Sequence, residues 1–326
     1  MHIPDGFLDV KTAVATGALS TATLATALRR LNRALPRRKI PLMGLASAFV
    51  FAAQMVNFPV AAGTSGHLIG AVLSFVLLGP APAFVVISAV LTVQCLLFAD
   101  GGLMSLGANV FNMGVIGVFG GYGVYRLVGK LTPGDRGRIV AMTLAAWTST
   151  VMASICCAGE LAWSGTVPWG AAFPAMANVH MLIGLGEAVI TTLVISAIGS
   201  VRSDLVAPEA QHLSEHRTRD MVVYGGAIII GIVLFVTPFA SRWPDGLESV
   251  ASKLGFDRAI IDHPPLSTPL VGYKVPGIDS PVGATVLAGL IGTVVMFFVG
   301  LLLARIVSRR RPGVEPRLGS PEEGAR

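Results

Sequence analysis

Nine apolar runs follow one another along the chain, at residues 8–28, 41–56, 66–78, 83–99, 105–128, 139–162, 174–200, 221–240 and 282–306. Most approach the ~20 residues that carry a helix through a bilayer. The run at 66–78 is short enough for a tilted or half-inserted helix, and the uncharged Gly79-Pro80-Ala81-Pro82 joins it to the next. Basic residues cluster in the polar breaks: Arg29 to Lys39, Arg126 to Arg138, Arg202 to Arg219, and Arg305 to Arg311. If all nine runs cross, these four clusters share one side of the membrane. The pattern predicts an all-α polytopic membrane protein, a helical bundle of about seven spans followed by a two-span C-terminal module. Positive charge on the inner face places the N-terminus outside and the C-terminus in the cytoplasm.

Composition agrees and removes other classes. With 53% hydrophobic and 13% charged residues the chain has too little polar surface to clothe a soluble fold. The net charge of +6 resides in the loop clusters, so orientation explains it and no nucleic-acid partner is expected. Cys95, Cys156 and Cys157 all lie inside apolar runs, which points to neither a disulfide framework nor a metal knuckle. The chain has no G-x-x-x-x-G-K-[ST] phosphate loop, so no nucleotide is expected to bind and any energy from ATP must come through a partner.

The chemistry concentrates at the start, Met1-His2-Ile3-Pro4-Asp5-Gly6-Phe7-Leu8-Asp9, which lacks the basic segment and small-residue cleavage site of a signal peptide. An α-amine followed by histidine at position two offers three nitrogens to one ion: the amine, the His2 backbone nitrogen and the His2 ring. Such a set favours Ni(II) or Cu(II) in a square plane and leaves one position to fill. His67, at the outer start of the third run, is the candidate for it, although a lone histidine at a helix start is also satisfied by backbone or water. The Pro4-Asp5-Gly6 turn would fold the arm back over the bundle.

These residues resemble a known family. Met1 to Phe7 is similar to the opening signature of the substrate-binding S component (NikM/CbiM) of energy-coupling-factor nickel and cobalt transporters. Gly63-Thr64-Ser65-Gly66-His67-Leu68-Ile69-Gly70 and Ala108-Asn109-Val110-Phe111-Asn112-Met113-Gly114 resemble two further signatures. Trp243-Pro244-Asp245-Gly246-Leu247-Glu248 resembles the PDGLE segment of a NikN-like companion often fused behind the S component. The resemblance implies a membrane component that captures Ni(II) or Co(II) as transported substrate, with no enzymatic activity of its own. It implies ligation by the Met1 amine, both His2 nitrogens and His67, and as partners a transmembrane T component and cytoplasmic ATPase subunits. Residues 1–205 would form the metal-binding unit, 206–220 a cytoplasmic linker, 221–311 the companion, and 312–326 a disordered cytoplasmic tail.

Asn57, Ser65, Asn109 and Asn112 are candidates to orient the ligands, or simply to satisfy nearby backbone. His180 and Glu187 share one face of the seventh run and are either functional or a polar contact that packs the bundle. Asp245 and Glu248 suit the first turn of a helix or a transient hold on the metal. The competing readings are a stand-alone metal channel or carrier, and an intramembrane metalloenzyme built on His2, His67, His180 and Glu187.

Overall fold

The computed structural model describes residues 1–37, 39–61, 63–202, 205, 215–260 and 268–308. The architecture is helical. After an extended arm come α1 (Val10–Ala34), α2 (Lys39–Met55), a short hairpin of β1 (Phe58–Ala61) and β2 (Thr64–Gly66), α3 (Ala71–Leu78) and α4 (Pro80–Val93), which runs on as a π-helical segment, Gln94–Phe98. Next are α5 (Leu106–Asn109), a second π-helical segment (Val110–Gly120), α6 (Gly121–Leu131), α7 (Gly134–Trp163) and α8 (Trp169–Val201). The last long elements are α9 (Glu215–Phe235), α10 (Gly246–Leu254) and α11 (Pro281–Ser308). Among the described residues five helical stretches are long and apolar enough to cross a membrane: 80–98, 134–163, 169–201, 218–239 and 281–308. α2 is apolar but has only 17 residues. α1 has the length, but Lys11, Arg29, Arg30 and Arg33 stand at its ends.

In α8 three polar side chains face inward. His180, Glu187 and Thr191 are buried together with Met176, Ile183 and Ala188. Leu182, Leu185, Val189 and Leu193, spaced at helical intervals, are exposed. This inversion of the soluble pattern suits a lipid surround, where a polar group finds its partners only inside the bundle.

The 66–78 run is where the chain departs from nine continuous spans. Its helix has eight residues, about 12 Å by the helical rise, too short to cross ~30 Å of hydrocarbon. Residues 64–70 stay extended or irregular and are all buried. Non-helical backbone buried in this way requires protein partners. Ser65 N–H donates to Pro244 O at 2.9 Å, Gln54 Nε2 donates to Ile69 O at 2.9 Å, and the Ile69 and Gly70 N–H groups donate to the Glu187 carboxylate at 2.6 and 2.9 Å. Glu187 thus caps α3 from another helix. It makes no pair with His180, whose Nδ1 meets Met176 O on its own helix at 2.8 Å.

The C-terminal helices pack against the first part of the chain. A Cβ on Gly292 of α11 would stand 2.1 Å from the Phe51 ring of α2, and one on Gly300 would stand 2.9 Å from Met43 O. Glycine at these positions lets α11 approach α2 closely. Of the expected linker 206–220, residues 215–220 form the first turns of α9; residues 206–214 and the tail 312–326 lie outside the described residues.

Candidate metal centre

The N-terminal arm is strapped down at almost every residue. Ile3 N–H donates to Asn109 Oδ1 at 2.7 Å, and Asn109 Nδ2 returns a bond to Ile3 O at 3.1 Å. Gly102 N–H also donates to Ile3 O, at 2.9 Å. Asp5 accepts from the Leu103 and Met104 N–H groups at 3.1 and 2.8 Å, and Ser105 Oγ donates to Pro4 O at 3.1 Å. Gly102 permits this crossing: a Cβ there would lie 2.1 Å from Asp5 Oδ1. Thr166 Oγ1 donates to Phe7 O, and Asp9 caps α1 through Thr12 N–H at 2.9 Å. The arm is therefore buried within the bundle, more deeply than a turn over its surface would require.

This strapping delivers Met1 and His2 to His67. The Met1 nitrogen lies 2.7 Å from His67 Nε2, and the His2 and His67 ring centroids are 5.0 Å apart. Both ring nitrogens of His2 are buried without a hydrogen-bond partner, an uncommon and costly state for polar atoms. An ammonium at Met1 can only donate, which would make His67 Nε2 the acceptor and leave the ring proton on Nδ1, 3.3 Å from Leu68 O. A cavity of about 10 Å³ adjoins Met1, His67, Ile69, His180 and Gly246, room for roughly one water or ion. Burial, reinforced by the neighbouring terminal ammonium, pushes both His2 and His67 down to about 3.

Two carboxylates flank these nitrogens. Asp245 Oδ2 stands 2.5 Å from the Met1 nitrogen and 3.9 Å from His67 Nε2. Its Oδ1 accepts from Glu248 N–H at 2.8 Å, and Glu248 returns a bond to Asp245 N–H, forming a capping box at the head of α10. Burial alone would raise the Asp245 carboxyl; the terminal ammonium bonded to it outweighs that and holds the group well below its ordinary value. On the other side Asp100 Oδ1 lies 3.6 Å from His2 Nδ1.

The remaining sequence candidates divide. Asn109 holds the arm through Ile3. Ser65 Oγ donates to Trp243 O at 2.7 Å, tying the His67 segment to the loop that carries Pro244. Asn112 instead donates to Glu160, at 2.6 Å. Asn57 lends its backbone carbonyl to Ser241 N–H at 2.8 Å. Leu247 is fully buried in a cluster with Ile3, Phe7 and Phe256, and Gly246 abuts His180, where a Cβ would lie 2.7 Å from the ring. Sequence reasoning missed Asp100 and did not foresee that Asp245 reaches the amine. Among the described residues no three or more His, Cys, Asp or Glu side chains gather closely enough to hold a metal. With Glu187 occupied at α3 and His180 bonded to its own helix, the four-residue enzyme centre does not form.

Known proteins share both parts of the chain. Residues 2–205 match the family described as cobalt uptake substrate-specific transmembrane region, CbiM, and residues 219–309 match the PDGLE domain. A putative fused nickel transport protein NikMN of Archaeoglobus fulgidus is 35% identical over 94% of this chain and 98% of its own length. The fused nickel transport protein NikMN of Rhodobacter capsulatus is 30% identical over 78% of each chain. The cobalt transport protein CbiM of Thermosediminibacter oceani is 33% identical over 61% of this chain and 84% of that protein. A crystal structure of a truncated transition metal transporter superposes with a TM-score of 0.57 at 34% identity, covering 62% of this chain and 99% of that one.

Proposed function

This chain belongs to the CbiM family and carries a PDGLE domain behind it, a multi-pass membrane metal-transport protein and not an enzyme; from that premise we propose that it captures Ni(II) for import. In this reading the ion is held by the Met1 amine, the His2 backbone nitrogen, the His2 ring and His67 Nε2. The supporting observation is the convergence of the Met1 nitrogen on His67 Nε2 at 2.7 Å beside a buried His2 ring with both nitrogens unpartnered. Four nitrogens, one of them a deprotonated amide, suit a square-planar Ni(II) better than a tetrahedral Zn(II). Co(II) fits the same atoms, and relatives are named for both metals.

The amine and the amide must each lose a proton for the ion to bind, whereas both imidazoles are neutral beforehand. Loading then breaks the Met1–Asp245 ion pair, so the second module takes part in loading without supplying a nitrogen. The N-terminus faces outside and the basic clusters face the cytoplasm. Transport is driven by a T component and ATPase subunits in an energy-coupling-factor importer.

His67→Ala tests the site. The variant should keep its expression level yet bind Ni(II) at least ~10-fold more weakly by calorimetry, the scale reached when even a group behind a ligand is removed. Unchanged stoichiometric binding would contradict the assignment. Uptake in cells devoid of any T component would instead favour a stand-alone carrier.

A further inference from the structure

Among the described residues only two non-glycine residues adopt a left-handed backbone, Ala99 at φ 54° and Tyr273 at φ 57°. Such conformations persist where the surroundings hold them, and they gather at functional sites. Here they lie at the two ends of one contact. Ala99 directly precedes Asp100, and the Tyr273 hydroxyl donates to Asp100 Oδ2 at 2.5 Å. Gln94 Nε2 donates to the same hydroxyl at 3.1 Å. The Tyr273 ring stacks on Phe98 with centroids 4.8 Å apart, and Leu270 N–H donates to Leu97 O at 2.9 Å. A segment of the C-terminal module is thus clamped onto the end of the π-helical stretch that leads into Asp100.

The other Asp100 oxygen, Oδ1, is the one 3.6 Å from His2 Nδ1. Of the two ring nitrogens, only Nδ1 can close a small chelate ring with the His2 backbone nitrogen, because Nε2 lies on the far side of the imidazole. No hydrogen bond fixes that ring. In the metal-free ring the Asp100 carboxylate faces the Nδ1 edge and is the group that can set the ring's orientation before capture, releasing the edge when Nδ1 turns its lone pair to the ion; it can do so only if it is itself held.

We propose that Tyr273 is a positioning residue for metal capture: by fixing Asp100, it sets the orientation of the His2 ring. The proposal rests on the reading of the metal centre in which His2 is a ligand. It gives the C-terminal module a second hold on that site, independent of Asp245.

The test uses the full-length protein, Ni(II) titration by calorimetry, and the visible d–d absorption of the bound ion. Tyr273→Phe keeps the stacked ring and removes only the hydroxyl. It should weaken Ni(II) binding by ~10-fold or more and move the d–d band, with the melting temperature of the nickel-free protein lowered by no more than the loss of one buried hydrogen bond explains. Asp100→Asn should do the same, and the double variant should be no worse than Asp100→Asn alone, as expected when two residues act in series. Wild-type affinity and spectrum in Tyr273→Phe would overturn the proposal, as would weaker binding that only follows a lower melting temperature with the d–d band unmoved. His67→Ala, measured alongside, separates the two levels. If it loses nickel while Tyr273→Phe does not, only the role of Tyr273 falls; if it binds nickel like the wild type, the site itself has been misread.

Discussion

The tripeptide Pro-Asp-Gly occurs at both edges of the proposed metal centre, as Pro4-Asp5-Gly6 in the arm and Pro244-Asp245-Gly246 in the C-terminal module, and the two copies are used differently. Asp245 begins its own helix. The residues after it place Leu247, Val250 and Ala251 on a buried face and Glu248 at the third helical position, which completes the capping box. One oxygen is thereby committed and the other is left for the amine. After Asp5 the chain reaches Phe7, and the capping of α1 falls to Asp9. Asp5 has no helix of its own to cap, so it satisfies N–H groups about 100 residues away. The glycines differ too. Gly6 is needed for its backbone, at φ 99°, whereas Gly246 is needed for space against His180. The residues C-terminal to each tripeptide decide which bonds its acid makes.

This difference can be attacked experimentally. The largest expected effect is on pH. The ammonium held by Asp245 gives up one proton on loading and the His2 amide another, while His2 and His67, lowered to about 3 by burial and the ammonium, release none. Protons compete with the metal, so affinity falls as pH falls, by about two log units per pH unit and roughly a thousandfold between pH 7 and 5.5. Calorimetry across that range checks the slope. A slope steepening toward four below about pH 6.5 would show that the imidazoles are charged in the unloaded site.

Asp5→Ala comes next. It leaves the Leu103 and Met104 N–H groups without their acceptor, at a cost of about 1–3 kcal/mol, and loosens the arm that carries two of the proposed ligand residues. Nickel binding should weaken ~10- to 100-fold, with faster amide hydrogen exchange in residues 1–9. Wild-type exchange and affinity would mean that the other straps suffice.

Asp245→Asn should have the smallest effect. A dipositive ion with one deprotonated amide carries the same net charge as the ammonium it replaces, so the carboxylate favours both states about equally. Asparagine also caps a helix nearly as well as aspartate. The dissociation constant should therefore change by only a few-fold. A loss as large as that of His67→Ala would make Asp245 a ligand.

The helices were legible because the apolar runs are long and four of the polar stretches that bound them are basic. The short α3 was not. The run at 66–78 is evenly apolar, and what keeps residues 64–70 out of the helix is Glu187 and Gln54, which belong to other helices. That Met1, His2 and His67 come together was legible because chelation by a chain terminus is local chemistry attached to a specific signature. Asp100 and Tyr273 are 173 residues apart, and only tertiary packing brings them together. Asn112, whose place near the outer end of its run makes it a candidate to orient the ligands or to satisfy nearby backbone, bonds Glu160 with its side chain.

The central claim is that the backbone nitrogen of Met1 is itself a ligand. The most direct test is nickel binding by the full chain with one glycine placed before Met1, the intact terminus of both proteins being verified by mass spectrometry. That single residue turns the amine into a peptide nitrogen and moves the positive charge away from Asp245 and His67. The extended protein should show no tight Ni(II) binding, while the same residue added at the C-terminus should leave affinity unchanged. If the N-terminally extended protein, confirmed intact, binds nickel as tightly as the original, the amine is not a ligand and this account of the metal centre is wrong.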